Sequence, residues 1–335
     1  MMSRDAKLEF ETLLRKRGLI QSDQARLTPL TGGISSEIYL VEAGGRRFVI
    51  KRALEMLKVQ DDWYADTSRN HSEQAYMRYV AGFRPDAMPE IYQSDPEAGL
   101  FSMEFLDGFR NWKQDLLAGK CDINLASQAG SLLGEIHAHT WGNSQVKAEF
   151  DSIPNFDQLR IDPYLRTTAT KHPDLESKIL AEADRLIKSR QCLMHGDYSP
   201  KNILHRGERL IPLDCEVACY ADAAFDLGFF LNHLFLKSLY HAPMPLPFEA
   251  MIAAARTGYR GANPEHTEEV EDRTAQLLPM LMLARVDGKS PVEYLDATKQ
   301  DFVRSFVRQQ LSGDNIRLDQ LKTNWFTTLL NLTIK

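Results

Sequence analysis

The sequence predicts an α+β chain in two lobes, a small strand-bearing lobe over residues 1–106 and a larger, mostly helical lobe over 107–335. Three observations predict it. Short apolar runs separated by glycine pairs crowd the first hundred residues, as strands and tight turns do. Apolar stripes at helical spacing dominate the rest. Between them, Asp107-Gly108 is a turn signal at the end of the last apolar run of the first lobe.

Residues 5–18 read as a helix with Leu8, Leu13 and Leu14 near one face and Phe10 to one side. Gly32 and Gly33, followed by Ser35, form a Gly-rich turn ahead of the strand Ile38–Val41. Glycines there permit positive φ and close approach of the backbone to phosphates. Gly44-Gly45 makes the next turn, and Phe48–Lys51 the next strand, with Lys51 at its end. Ser72–Val80 reads as a helix carrying Glu73, and Gly99–Gly108 as a last strand running into a connector at 103–108.

In the second lobe, 124–141 is a helix striped by Leu125, Ala129, Leu132, Leu133 and Ile136, with His137 and His139 as packing or capping residues near its end. Residues 174–190 form another helix, with Leu175, Ile179, Leu186 and Ile187 on one side, and 227–240 a buried one. Helices fill the remainder.

The chemistry concentrates in Met194-His195-Gly196-Asp197-Tyr198-Ser199-Pro200-Lys201-Asn202-Ile203-Leu204, followed by Leu213-Asp214-Cys215-Glu216. Pro200 disfavours helix at Ser199, so 195–202 is a loop pinned by short apolar strands. Leu210–Leu213 is a further strand, and a hairpin-like pair brings Asp214 back beside Asn202. Asp197 can accept a hydrogen bond from an acceptor hydroxyl. Asn202, Asp214 and Glu216 offer the oxygen ligands that Mg²⁺ prefers.

His195-Gly-Asp197-x₄-Asn202, Leu213-Asp214-x-Glu216 and Ala221-Asp222-Ala-Ala-Phe-Asp226-Leu-Gly together resemble the aminoglycoside phosphotransferase and choline kinase superfamily, small-molecule kinases with the protein-kinase-like fold. The likeness runs from about Leu30 to about Lys237. It implies an antiparallel sheet in the first lobe, ATP and Mg²⁺ as cofactors, and transfer of the γ-phosphoryl group to a hydroxyl. It implies Asp197 as base, metal held at 214–216 with Asn202, and His195 and Asp226 as structural support. In the first lobe it implies that Gly32, Gly33, Ser35 and Lys51 meet the nucleotide phosphates and that Glu73 pairs with Lys51. The backbone of Glu104 and Leu106 would meet the adenine edge.

The acceptor region is less legible. Arg285, in Leu281–Tyr294, loosely resembles a methylthioribose kinase segment that carries two arginines. Arg285 and Tyr198 are the acceptor candidates, with Trp63, Tyr64 and Tyr220 as further aromatics. A net charge of −6 is mild for a polycation site and argues against nucleic acid as a partner. A sugar or amino alcohol is therefore expected ahead of an aminoglycoside antibiotic. No apolar run approaches the ~18 residues of a membrane span. Four cysteines without framework spacing fit free thiols, and the charged start reads as a cytoplasmic protein rather than a secreted one. Cys215 and Cys219 lack a second Cys/His pair for zinc. Two other classes stand as alternatives: a catalytically silent kinase fold used for binding, and a protein kinase, whose Asp-Phe-Gly and Ala-Pro-Glu elements are missing.

Overall fold

A computed structural model describes residues 4–20, 25–30, 36–53, 69–313 and 316–333. The chain divides into two compact units, 1–108 and 109–335.

The first unit holds α1 (Arg4–Lys16), β1 (Arg26–Pro29), β2 (Ser36–Ala43), β3 (Arg46–Ala53), α2 (Arg69–Ala81), β4 (Ile91–Asp95) and β5 (Leu100–Glu104). The strands make one antiparallel sheet in the order β1-β2-β3-β5-β4. Pro29 closes β1, an edge strand, where its missing amide costs no ladder bond. The hairpin over Gly44-Gly45 fixes the β2–β3 register, pairing Ile38 with Lys51 and Ala43 with Arg46.

The helix expected at 5–18 forms, but its packed face differs. Phe10 and Leu14, four residues apart, are the buried pair, and Leu13 is only partly buried. Phe10 packs on Tyr39 with ring centroids 5.1 Å apart. The aromatic ring, not the leucine row, anchors α1 to the sheet, because it offers the larger apolar area.

The second unit runs β6 (Arg110–Asn111), α3 (Trp112–Leu117), α4 (Ile123–Thr140), α5 (Ser144–Glu149), α6 (Ile153–Phe156), a π-helical stretch Asp157–Arg166, α7 (Thr167–Lys171), α8 (Glu176–Lys188), β7 (Cys192–Met194), β8 (Ile203–Arg206), β9 (Arg209–Pro212), β10 (Cys219–Ala221), α9 (Ala223–Tyr240), α10 (Leu246–Ala262), α11 (Thr267–Asp287), α12 (Ala297–Leu311) and α13 (Leu318–Thr333). β7 pairs with β10, and β8 pairs with both β6 and β9.

Asp122 caps α4, and Asp222 caps α9 by accepting the amide of Ala224 at 2.9 Å. Every residue of α9 from Ala223 to Leu239 is buried. Such a helix is apolar on all sides because it has protein on all sides. α4 and α10 cross at very short range. A Cβ on Gly130 would lie 1.9 Å from the Ala255 carbonyl oxygen, and one on Gly258 2.1 Å from that of Ser127. Only glycine lets the two backbones approach so closely.

Candidate active site

The catalytic-loop candidates sit between β7 and β8, inside the second unit. Gly196 has φ +77°, and a Cβ there would meet the Val217 carbonyl oxygen at 2.7 Å. Both facts require glycine at this turn. Asp226, on the first turn of α9, accepts the amides of His195 at 2.6 Å and Gly196 at 2.9 Å. Behind it, His137 reaches Asp226 at 3.4 Å through Nε2 and the Tyr259 hydroxyl at 2.9 Å through Nδ1. Asn263 donates to the same hydroxyl at 3.2 Å. His137 is thus a buried packing residue that ties α4 and α10 to the loop's support.

His195 is buried, and burial drives its pKa below the usual histidine value against the pull of Asp226 and Asp197. Its Nδ1 accepts the amide of Asp197 at 3.2 Å, so the neutral ring carries its proton on Nε2. Asn202 donates from Nδ2 to the Asp197 carbonyl at 3.1 Å and from its own amide to Ser199 at 2.9 Å. Further ties come from outside the loop: the Lys113 amide donates to Pro200, and Asn111 Nδ2 to the Lys201 carbonyl at 2.7 Å. The loop is rigid because its backbone groups are bonded from several elements.

β8 and β9 form a hairpin, with Ile203 opposite Pro212. The Leu213 amide extends it by donating to the Asn202 carbonyl at 2.8 Å, which brings Asp214 back beside Asn202. Asp214 has φ 64°, the one positive value outside glycine among the described residues. A non-glycine residue held there stores of order 1–3 kcal/mol of strain, and such outliers cluster at functional sites.

One residue of this site was invisible in the sequence. Arg160, on the π-helical stretch, reaches the Asp197 carboxylate at 3.0 Å through Nη2 and the Gly196 carbonyl at 2.7 Å through Nε. Burial pulls its pKa down, but Asp197, Tyr164, Glu216 and Asp214 together raise it. One guanidinium thus senses all three candidate carboxylates. Lys201 lies 4.0 Å from Asp197, whose charge raises the lysine pKa. No motif flagged Arg160, a single arginine far from the loop in sequence; only a π-bulge, common at functional sites, marks it in the structure.

Asn202, Asp214 and Glu216 supply the hard oxygen donors that Mg²⁺ favours, and the acid excess around Arg160 fits a divalent cation. Among the described residues, no three His, Cys, Asp or Glu side chains form a closed metal cage. Mg²⁺ on a nucleotide needs none, since one or two carboxylates with water and phosphate oxygens suffice. Cys215 and Cys219 are buried and form no disulfide, and burial raises the pKa of Cys219.

In the first unit, Lys51 Nζ lies 2.7 Å from Glu73 Oε1, and both side chains are buried. β3 and α2 thus hold one ion pair. β5 ends at Glu104, whose amide donates to the Glu90 carbonyl at 2.8 Å; Leu106 follows in the connector. Gly32, Gly33, Ser35, Trp63 and Tyr64 lie outside the described residues.

One acceptor expectation needs correction. Tyr198 is fully buried, its hydroxyl donates to the Ala129 carbonyl at 2.8 Å, and its ring packs edge-on to Phe230. It is a core residue whose hydroxyl is already spent on Ala129, and Tyr220 is likewise buried. Arg285, in the last turn of α11, is buried. Its Nη1 donates to the Ser290 carbonyl, to Ser290 Oγ at 2.9 Å and to the Tyr164 hydroxyl at 3.1 Å.

An α+β chain with a five-stranded antiparallel sheet in one unit and a helical second unit carrying this loop has the kinase-like fold, and solved structures agree. An amicoumacin kinase in complex with AMP-PNP, Ca²⁺ and Ami is 17% identical, with a TM-score of 0.58 over 92% of this chain and 95% of that one. A choline kinase from Cryptosporidium parvum Iowa II is 14% identical, with a TM-score of 0.57 over 97% of this chain and 100% of that one. The phosphotransferase enzyme family matches residues 26–264, and the chain belongs to that family. Methylthioribose kinase from Bacillus pumilus (strain SAFR-032) is 26% identical over 220 residues, 57% of this chain and 55% of that protein. The one from Exiguobacterium sibiricum is 24% identical over 254 residues, 67% of this chain and 64% of that protein. The chain thus spans a little over half the length of these relatives. Among the described residues no helix is long and apolar enough to cross a membrane.

Proposed function

We propose that this protein is a small-molecule kinase that moves the γ-phosphoryl group of ATP to a hydroxyl, with a sugar or an amino alcohol as acceptor. The observation that carries the reading is the Asp197 carboxylate, held by Arg160 in a loop that the β8–β9 hairpin joins to Asp214. Asp197 would orient the acceptor hydroxyl and take its proton as the oxygen bonds to Pγ and the Pγ–O bond to ADP breaks. The transition state is loose, so positioning outweighs basicity. Asn202, Asp214 and Glu216 would hold Mg²⁺, which when bound neutralises charge on the phosphate oxygens. Lys51, aimed by Glu73, would contact the nucleotide phosphates, with Gly32, Gly33 and Ser35 around them and the backbone of Glu104 and Leu106 at the base.

A silent binding fold has no use for Lys51, Glu73, Asp197, Asn202 and Asp214 all at once. The test is ADP release from ATP and Mg²⁺ against a panel of sugars, amino alcohols and aminoglycosides, with Asp197→Asn as control. Acceptor-dependent release that vanishes in the variant supports the reading. Release that survives Asp197→Asn removes Asp197 from its role.

A further inference from the structure

α9 is wholly buried yet carries two basic groups on adjoining turns, His233 and Lys237, four residues apart. α11 brings Arg285 to the same place. None of the three has a carboxylate partner among the described residues. Lys237 Nζ has one long bond, 3.5 Å to the His233 carbonyl, and stands 5.1 Å from the centre of the Tyr294 ring. Arg285 Nε and the Tyr294 hydroxyl are buried without any hydrogen-bond partner. Glu293, the one acid whose charge bears on Lys237, is paired with Lys113 at 2.5 Å. Burial pushes Lys237 down to about 7, the charges of Lys113 and Arg285 add to this, and Glu293 only partly opposes it. His233 is driven well below its ordinary value by burial, then by Lys237, Arg285, Lys201 and Lys113.

Buried basic groups without a counter-charge are costly to protonate, and an anion set beside them would supply the missing partner. The cluster also adjoins the chemistry. Tyr164, bonded to Arg285, stands one turn beyond Arg160, which grips Asp197. Taking Asp197 as the phosphoryl-transfer site proposed above, we infer that the acceptor carries an oxyanion, a carboxylate or a phosphate, besides its hydroxyl, and that Lys237, Arg285 and His233 bind it. Among the acceptors considered, this favours an acidic sugar or hydroxy acid over a simple amino alcohol or a polycationic antibiotic.

The test is calorimetric titration in saturating Mg·ADP. Glycerate and gluconate probe a carboxylate; glycerol 3-phosphate and ribose 5-phosphate probe a phosphate. Wild type and Asp197→Asn should both bind at least one of the four, and Lys237→Met should weaken that binding about tenfold or more. His233→Gln should weaken it as well, and retained Mg·ADP binding shows that each variant is folded. No binding by any anion, or equal binding by the folded Lys237→Met protein, overturns the inference. Turnover separates the two readings. Anion binding lost in Lys237→Met with no ADP released from any hydroxyl compound would sink phosphoryl transfer and leave the anion site standing. Turnover of choline or kanamycin that Lys237→Met does not alter would do the reverse.

Discussion

Asp197 is gripped by Arg160 on one side and approached by Lys201 on the other, while Asp226 and Asn202 fix the backbone around it. Asp197→Asn keeps that shape and removes the charge, so kcat should fall by about 10²–10⁴-fold with Mg·ATP affinity nearly unchanged. Stopped turnover assays with equilibrium nucleotide binding would check it. Asp214→Asn is a clean probe of charge, since asparagine tolerates the left-handed backbone that Asp214 adopts. It should weaken Mg·ATP about tenfold or more while leaving the thermal midpoint near that of wild type. Lys237 yields a pH-dependent prediction. Its pKa in the fold, about 7, lies below the ~10.4 of a free lysine, so the unfolded chain binds more protons between these values. Its burial penalty is therefore complete below pH 7 and fades as pH rises toward 10. Lys237→Met should stabilise the protein by roughly 1–4 kcal/mol at pH 6, and the gain should shrink by pH 10. Melting curves across that range decide it.

Short-range motifs made several of these residues legible. His195, Asp197, Asn202 and Asp214 stand in one run where glycine and proline mark the turns, so spacing put them together, while Asp226 entered through the family resemblance. Arg160 could not be read that way. It acts across 36 residues, and no local pattern separates a buried arginine that clamps a loop from one on a solvated helix. Lys237 and His233 were hidden for a related reason: in an apolar run, two basic residues pass for interruptions until burial is known.

Among elements, the α4–α10 crossing makes the sharpest demand. Gly130→Ala would press a methyl into the Ala255 carbonyl, and neither backbone can move without parting the helices. A destabilisation of about 1–3 kcal/mol is expected, typical of overpacking, with lowered activity because Tyr259 on α10 holds His137 behind Asp226. Denaturant melts of Gly130→Ala beside Gly261→Ala, where no atom lies within 4 Å of the added carbon, separate the crossing from helix propensity. The long helices were readable because their stripes persist over several turns. The hairpin from Ile203 to Pro212 was readable from its turn residues. β6 has two residues, and the π-helical stretch has no period of its own, so neither left a trace. In α1 the stripe was seen but the wrong residue was placed at its edge, since Phe10 outcompetes Leu13 for the sheet.

At the scale of the molecule, the family match ends at Pro264, yet α9 is not closed there. α11 covers it, with Thr274 donating to the Ala224 carbonyl at 3.4 Å and Asn232 donating to that of Leu281 at 3.3 Å. A chain stopped at Pro264 should show no cooperative melt and no turnover despite containing every motif residue, because the apolar α9 surface would face water. α11 also contributes the buried Arg285, so the part beyond the shared family region completes the core.

The network from Asp226 through His137 to Tyr259 and Asn263 has a consequence for the newborn chain. A ribosome delivers His195, Asp197 and Asp214 well before α10, and until Tyr259 and Asn263 emerge the brace behind Asp226 is incomplete. Competence therefore arrives late in synthesis. A nascent chain holding all the candidate catalytic side chains would remain idle until a helix without one has docked.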